Sequence, residues 1–200
     1  ALEVLDATWS PAPSAHSGLF YALRQSVPLR HLRPPRPEMW ICSWSRTGMR
    51  RAIRWGAGLM LSGMYTAAEI GATLREYREL CSRRSVAPGP VACIRRGFLG
   101  DAAASQRFLD RFVSQMESSV SYERHAGQEW VRSLRSEKPP WLDDIVFAGE
   151  PERVAEGLRA WAEPLGIEHV ILKLHWGQDR DFELLPEQLE RAGTLCRAVA

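Results

Sequence analysis

The stretch FAGEPERVAEGLRAWAEPLGIEHVILKLHW, Phe147 to Trp176, decides the fold because it reads as one complete αβ unit. Ala148 and Gly149 suggest a turn, and Pro151 suits the first helical position, where its missing N–H costs nothing. Val154, Leu158 and Trp161, spaced by four and then three, make one apolar stripe, and Pro164 with Gly166 stops the helix. The run from Glu168 to Leu174 is too short for a helix and too continuously apolar for a hairpin with one wet face. It predicts a parallel strand covered on both faces and ending on His175 and Trp176. In parallel α/β folds chemistry gathers at the carboxyl ends of the strands, which makes these two residues site candidates.

The same alternation recurs upstream. Arg33-Pro34-Pro35-Arg36-Pro37 is an extended lead-in, followed by a short strand at Met39 to Ile41. A helix is expected from Ser45, with Met49, Ala52, Ile53 and Gly56 on its inner face, and Leu59 to Leu61 supply the next strand. Thr66 with Glu69 three residues later forms a capping box, opening a helix whose stripe is Ile70, Leu74, Tyr77 and Cys81. Val91 to Leu99 is a strand, and Asp101 caps a helix that buries Leu109, Phe112, Val113 and Met116. A long irregular segment runs from Ser121 to Ile145, and a last helix from Pro186 buries Leu189, Ala192, Cys196 and Val199. Strands alternating with helices argue for a parallel sheet and against a sandwich or a bundle.

Composition sets the bounds. With 200 residues, 45% hydrophobic and 25% charged, the chain has enough apolar material for a core of its own. No apolar run approaches the roughly 20 residues of a spanning helix, so a cytoplasmic protein without a membrane is expected. Cys42, Cys81, Cys93 and Cys196 show no close pairing, which favours reduced thiols over disulfides or zinc. A net charge of +2 argues against nucleic acid as a partner.

Five segments in order carry a resemblance: Trp9 with Gly18-Leu19-Phe20-Tyr21; Arg36-Pro37-Glu38-Met39-Trp40-Ile41; Ser45-Arg46-Thr47-Gly48-Met49-Arg50-Arg51-Ala52; Ile94-Arg95-Arg96-Gly97-Phe98-Leu99; and Gly149-Glu150-Pro151-Glu152-Arg153-Val154 leading to Gly166-Ile167-Glu168-His169-Val170-Ile171-Leu172. Together the sequence resembles the second half of the bacterial luciferase-like monooxygenases, a superfamily that includes deazaflavin-dependent reductases. The resemblance implies an α/β TIM (β/α)8 barrel, of which this chain carries about strands 5 to 8. Such a barrel takes about 250 residues, so a half-barrel or fragment is expected. Residues 1–38 are then a helix end and lead-in, residues 39–200 hold the βα units, and 121–145 is a lid-like insertion or a plain surface one.

The resemblance also implies chemistry. Reduced FMN, with the deazaflavin coenzyme F-420 as the alternative, would act with oxygen on a small organic substrate. A flavin reductase is an expected partner, and a homo- or hetero-oligomer the expected assembly. A non-catalytic flavin-binding or partner-subunit protein is a further reading. The family's phosphate turn, Gly-Gly-x-Ser-x-x-Gly, falls on Cys42, Ser43, Trp44, Ser45 and Gly48, with both leading glycines lost. Ser43, Trp44, Ser45 and Thr47 are candidate cofactor contacts, with hydroxyls and a helix N-terminus suited to phosphate, although Ser45 equally suits a plain helix cap. Arg95 matches a family arginine and is expected to point into the barrel mouth toward an anion, or to pair with a carboxylate, while Arg96 faces the helices. His175 is the candidate acid or base, because an imidazole titrates near neutral pH, and Trp176 the candidate substrate contact. No metal is expected, since His175, Asp179 and Asp181 lack the rigid spacing of a metal site.

Overall fold

Parallel pairing of short apolar runs builds a five-stranded sheet: β3 (Trp40–Cys42), β4 (Gly58–Leu61), β5 (Val91–Leu99), β6 (Val146–Gly149) and β7 (His169–Lys173). The computed structural model describes residues 2–9, 13–25, 38–62, 65–118, 142–174 and 179–199. These form two units, Ala1–Met39 and Trp40–Ala200. The first holds α1 (Leu2–Thr8) and an antiparallel hairpin, β1 (His16–Ser17) with β2 (Ala22–Leu23), whose turn closes through Gly18 N–H to Tyr21 O at 2.9 Å.

In the second unit β5 is central. It pairs with β4 from Val91 to Cys93, with β7 from Ala92 to Arg96 and with β6 from Arg96 to Leu99. Helices α2 (Arg46–Trp55), α3 (Ala67–Ser82), α4 (Ala102–Ser118), α5 (Leu142–Ile145), α6 (Pro151–Ala162) and α7 (Asp179–Val199) connect and cover the strands. Leu59, Leu61, Val91 and Cys93 face the helix layer, where they meet Met49 and Ala52 of α2, Ile70, Leu74 and Tyr77 of α3, and Val154, Leu158 and Trp161 of α6. Each large apolar side chain removed from water there contributes roughly 1.5–3 kcal/mol. A second cluster joins Phe98 to Phe108 and Phe112 of α4 and to Leu142, Ile145 and Val146, with the Phe98 and Phe108 rings stacked at 5.0 Å.

The other face of the sheet follows from register and alternation: Trp40, Met60, Ala92, Ile94, Arg96, His169, Ile171 and Lys173. Trp40 and His169 touch edge to face at 5.3 Å although β4 and β5 lie between their strands. Contact across that width needs a strongly curled sheet, so this face is concave, in the sense of a barrel wall. Gly58 makes the contact feasible, because a Cβ there would lie 2.5 Å from the Trp40 ring.

Several expectations need correction. Ala148 and Gly149 close strand β6 and are not a turn, since β5 outlasts its pairing with β4 and takes a new parallel neighbour. Residues 142–145 are a helical turn and not irregular, and 119–141 lie outside the described residues. Strand β7 is covered on one face only: Val170 and Leu172 pack on the core, whereas Ile171 on the concave face is 43% exposed. Helix α7 begins at Asp179 and runs through Pro186. Its inward residues are Gln188, Ala192 and Leu195, while Leu189 is 58% exposed and Cys196 is exposed.

Candidate functional site

The turn after β3 is the first place where the candidate residues converge. Ser43 N–H continues the strand ladder by donating to Met60 O at 3.1 Å, after which the chain turns into α2. Ser45, in extended backbone, caps that helix: its Oγ accepts from Gly48 N–H at 3.1 Å. The hydroxyls of Ser43 and Ser45 lie 3.0 Å apart, and Ser43 Oγ also accepts from Ser45 N–H at 3.2 Å. Gly48 is buried against this pair, and a Cβ there would sit 1.9 Å from Ser43 Oγ, so the tight turn needs glycine at this position. The first amides of a helix have no intrahelical acceptor. Ser45 satisfies that of Gly48, leaving the N–H groups of Arg46 and Thr47 without a partner among the described residues. The exposed Thr47 hydroxyl lies on the same helical turn.

Trp44 turns away from that opening. Its indole N–H donates to Ser62 Oγ at 3.0 Å, and its ring lies 3.7 Å from that of Tyr65. Both rings pack against the helix-side core, so Trp44, at the variable position of the motif, forms a wall beside the turn and does not fill it.

Arg95 is not at the barrel mouth. The register pairs Leu61 with Cys93, and Leu61 belongs to the helix layer, so Cys93 and Arg95 turn there too. The guanidinium is fully buried, lies 4.1 Å above the Trp161 ring and donates from Nη2 to Tyr65 O at 3.2 Å. Burial holds its pKa below the usual arginine value, and Nε and Nη1 have no hydrogen-bond partner among the described residues. The same burial pushes the Cys93 thiol up to about 11, against the opposing pull of Arg95. Arg96 takes the concave face in its place, directly in register with Lys173. Burial lowers the Arg96 pKa to about 10, and burial together with the Arg96 charge lowers that of Lys173.

His175 and Trp176 lie outside the described residues. Among the described residues no group of three or more His, Cys, Asp or Glu side chains is placed to hold a metal, and no helix is long and apolar enough to cross a membrane. A cavity of about 790 Å³ opens beside β6 on the helix side, between Ser105 and Leu109 of α4, Phe147, and Val154 and Trp161 of α6. It contains none of the candidate residues. Sequence reading missed Gln188: its buried amide accepts from Leu99 N–H at 2.8 Å and donates to Leu99 O at 2.7 Å, completing β5 beyond its last pair with β7. A glutamine on a helix gives no local sign of such a role.

A family model described as luciferase-like monooxygenase matches residues 1–169. The chain belongs to the luciferase-like monooxygenase family. Solved structures agree in fold with this luciferase-like chain. The oxygenating constituent of 3,6-diketocamphane monooxygenase from Pseudomonas putida, in complex with FMN, superposes with a TM-score of 0.67 at 16% identity, over 95% of this chain and 59% of that one. EDTA monooxygenase from a Chelativorans species gives 0.63 at 17% identity, over 99% and 58%. A secondary alcohol dehydrogenase dependent on coenzyme F-420 gives 0.62 at 14%, over 95% and 59%. The luciferase-like chain therefore spans less than two thirds of the length of these structures. No curated protein matches it in sequence.

Proposed function

We propose that this luciferase-like chain binds FMN and serves a cytoplasmic monooxygenase acting on a small organic substrate. When bound, reduced flavin supplies the electrons that activate molecular oxygen. The observation that carries the reading is the turn after β3, where two hydroxyls 3.0 Å apart stand beside two helix N-terminal amides without partners among the described residues. Such donors, at the positive end of a helix dipole, suit a phosphate. In this reading the amides of Arg46 and Thr47, with the hydroxyls of Ser43, Ser45 and Thr47, hold the flavin phosphate. Ser45 can do so while capping, because its oxygen accepts from Gly48 and its proton stays available to an anion. Trp44, fixed by Ser62 and Tyr65, bounds the site. His175 moves a proton and Trp176 contacts substrate, as their position after β7 suggests. A flavin reductase supplies the reduced cofactor.

The Ser45→Ala/Thr47→Ala variant tests this. Hydrogen bonds to a charged group are worth about 1.5–3 kcal/mol each, so FMN affinity is expected to fall at least tenfold while riboflavin, which lacks the phosphate, binds unchanged. Equal FMN binding by variant and wild type removes the phosphate assignment. Selective binding of coenzyme F-420 replaces FMN with deazaflavin, and binding without turnover favours a non-catalytic relative.

A further inference from the structure

The cavity of about 790 Å³ beside β6 lies on the helix side of the sheet and shares no residue with the turn after β3. It exists because the two helices that border it turn small residues toward each other. Ala102 and Ser105 of α4, and Gly157 and Ala160 of α6, are each three apart and so share one flank of their helix. Interiors are close-packed as a rule, and a space of this size falls in the range of small-molecule pockets, about 300–1,000 Å³. Gln106, Arg153 and Ala160 on its border are exposed, so solutes can enter.

The wall is aromatic, and the charged groups are divided between two ends. Phe147 and Trp161 meet edge to face at 5.9 Å, with Val154 beside them. Where α6 begins, Glu150 and Arg153 carry opposite charges, and Glu150 also reaches Arg191 at 3.5 Å. The far end, across the four residues of β6 or roughly 13 Å, belongs to Asp144. This half-buried carboxylate accepts from Ala67 N–H through Oδ2 at 3.2 Å, while Oδ1 has no hydrogen bond or ion pair among the described residues. Buried Arg95 acts on it only at a distance. A second group is unspent: Trp161 is 8% exposed, and its indole N–H has no acceptor among the described residues. Buried donors are nearly always paired, so an orphan in a cavity wall points to a partner that is not part of the chain.

We propose that this cavity is a binding site for a hydroxyaryl alkylammonium ion, with the ammonium group on Asp144 Oδ1, the ring against Phe147 and Trp161, and the ring oxygen accepting from the Trp161 N–H. A charge-assisted bond to a carboxylate that is partly out of water is stronger than the same bond in solution. A ring suits the wall because aromatic pairs gain more than the area they bury. The assignment does not rest on FMN occupying the turn after β3.

The test is calorimetric titration of the whole chain, without flavin, with tyramine. Three relatives of tyramine serve as comparators: 2-phenylethylamine without the ring oxygen, 2-(4-hydroxyphenyl)ethanol without the charge, and 3-(4-hydroxyphenyl)propanoate with the opposite charge. Tyramine is expected to bind tightest and the propanoate not at all. Asp144→Asn keeps an acceptor for Ala67 and removes the charge, so it is expected to weaken tyramine tenfold or more and leave the neutral alcohol unchanged. Asp144→Glu, which keeps the charge, is expected to retain tyramine better than Asp144→Asn. Gly157→Leu fills the space: a Cβ there meets Phe147 at an ordinary 3.5 Å, and leucine favours the helix, so the variant is expected to fold and to bind none of the four. Thermal melts check that each variant is folded. Absence of tyramine binding, equal binding of the propanoate, or tyramine affinity unchanged in Asp144→Asn or in Gly157→Leu overturns the proposal. Phenylethylamine that binds as tightly as tyramine removes the Trp161 contact, and the hydroxyaryl assignment with it.

Discussion

Arg95 shows how one side chain answers to its surroundings and not to its charge. A guanidinium taken out of water is expensive, and the Trp161 face with one carbonyl from Tyr65 offsets only part of that cost. Replacing it with an apolar residue of similar reach is therefore expected to be neutral or stabilising: Arg95→Met should unfold in urea at the wild-type midpoint or above. Arg95→Ala, which leaves a cavity, should lose about 2–4 kcal/mol. Cys93, beside it, makes the folded state sensitive to alkali. Its pKa rises from 9.0 unfolded to about 11 folded, mainly through burial. Between those values the unfolded chain has released a proton that the folded chain keeps, so stability is full below pH 9 and falls as pH rises toward 11. Burial raises the Tyr77 pKa as well, which acts in the same direction above its ordinary 10.0. Arg96, lowered to about 10, acts oppositely above that pH. Chemical denaturation at pH 8 and 9.8 should show the loss in wild type and a smaller one in Cys93→Ala; an equal loss in both assigns it elsewhere.

Helix α7 tolerates a proline at an interior position, where the ring removes one backbone donor and crowds the preceding turn. A proline there is about 3 kcal/mol less favourable than alanine, so Pro186→Ala is expected to raise stability by about 1–3 kcal/mol, read as a higher melting temperature. A lower one would mean that the proline helps to seat Gln188 and Leu195. At this scale the sequence was most legible where structure obeys local rules. The Thr66–Glu69 capping box is present with both of its bonds, and Ile70, Leu74, Tyr77 and Cys81 are all buried as their spacing predicts. It was least legible where a partner distant in the chain decides. Val146–Gly149 is a strand only because β5 has an edge to offer, and Gln188 of helix α7 turns inward to meet Leu99, a partner that no local pattern names. Alternation correctly grouped Cys93 with Arg95, yet both columns of β5 mix apolar and charged residues. Only the register with Leu61 tells which column meets the helices.

The described sheet leaves β3, β6 and β7 each with a single strand partner, and edges of that kind offer unpaired N–H and C=O groups to other chains. The concave face adds exposed Ile171 to that hazard. Purified at micromolar concentration, the 200-residue chain is expected to self-associate, giving by light scattering a mass above the 22.6 kDa of one chain. A monodisperse monomer would show that the edges are protected. The candidate site was half legible: hydroxyls and a helix start mark the turn after β3, but nothing local announces that Arg96 and Lys173 stand in register, because that pairing joins residues 77 positions apart (173 − 96). The clamp of Gln188 on Leu99 reaches further, 89 positions along the chain. During synthesis on the ribosome, the tip of β5 therefore emerges long before the side chain that completes it. Until α7 arrives, one donor and one acceptor at the carboxyl end of the central strand must stay hydrated or engage something else. Completion of β5 thus waits on α7 in vectorial folding, and a nascent chain stalled before that helix presents an unfinished strand end to chaperones.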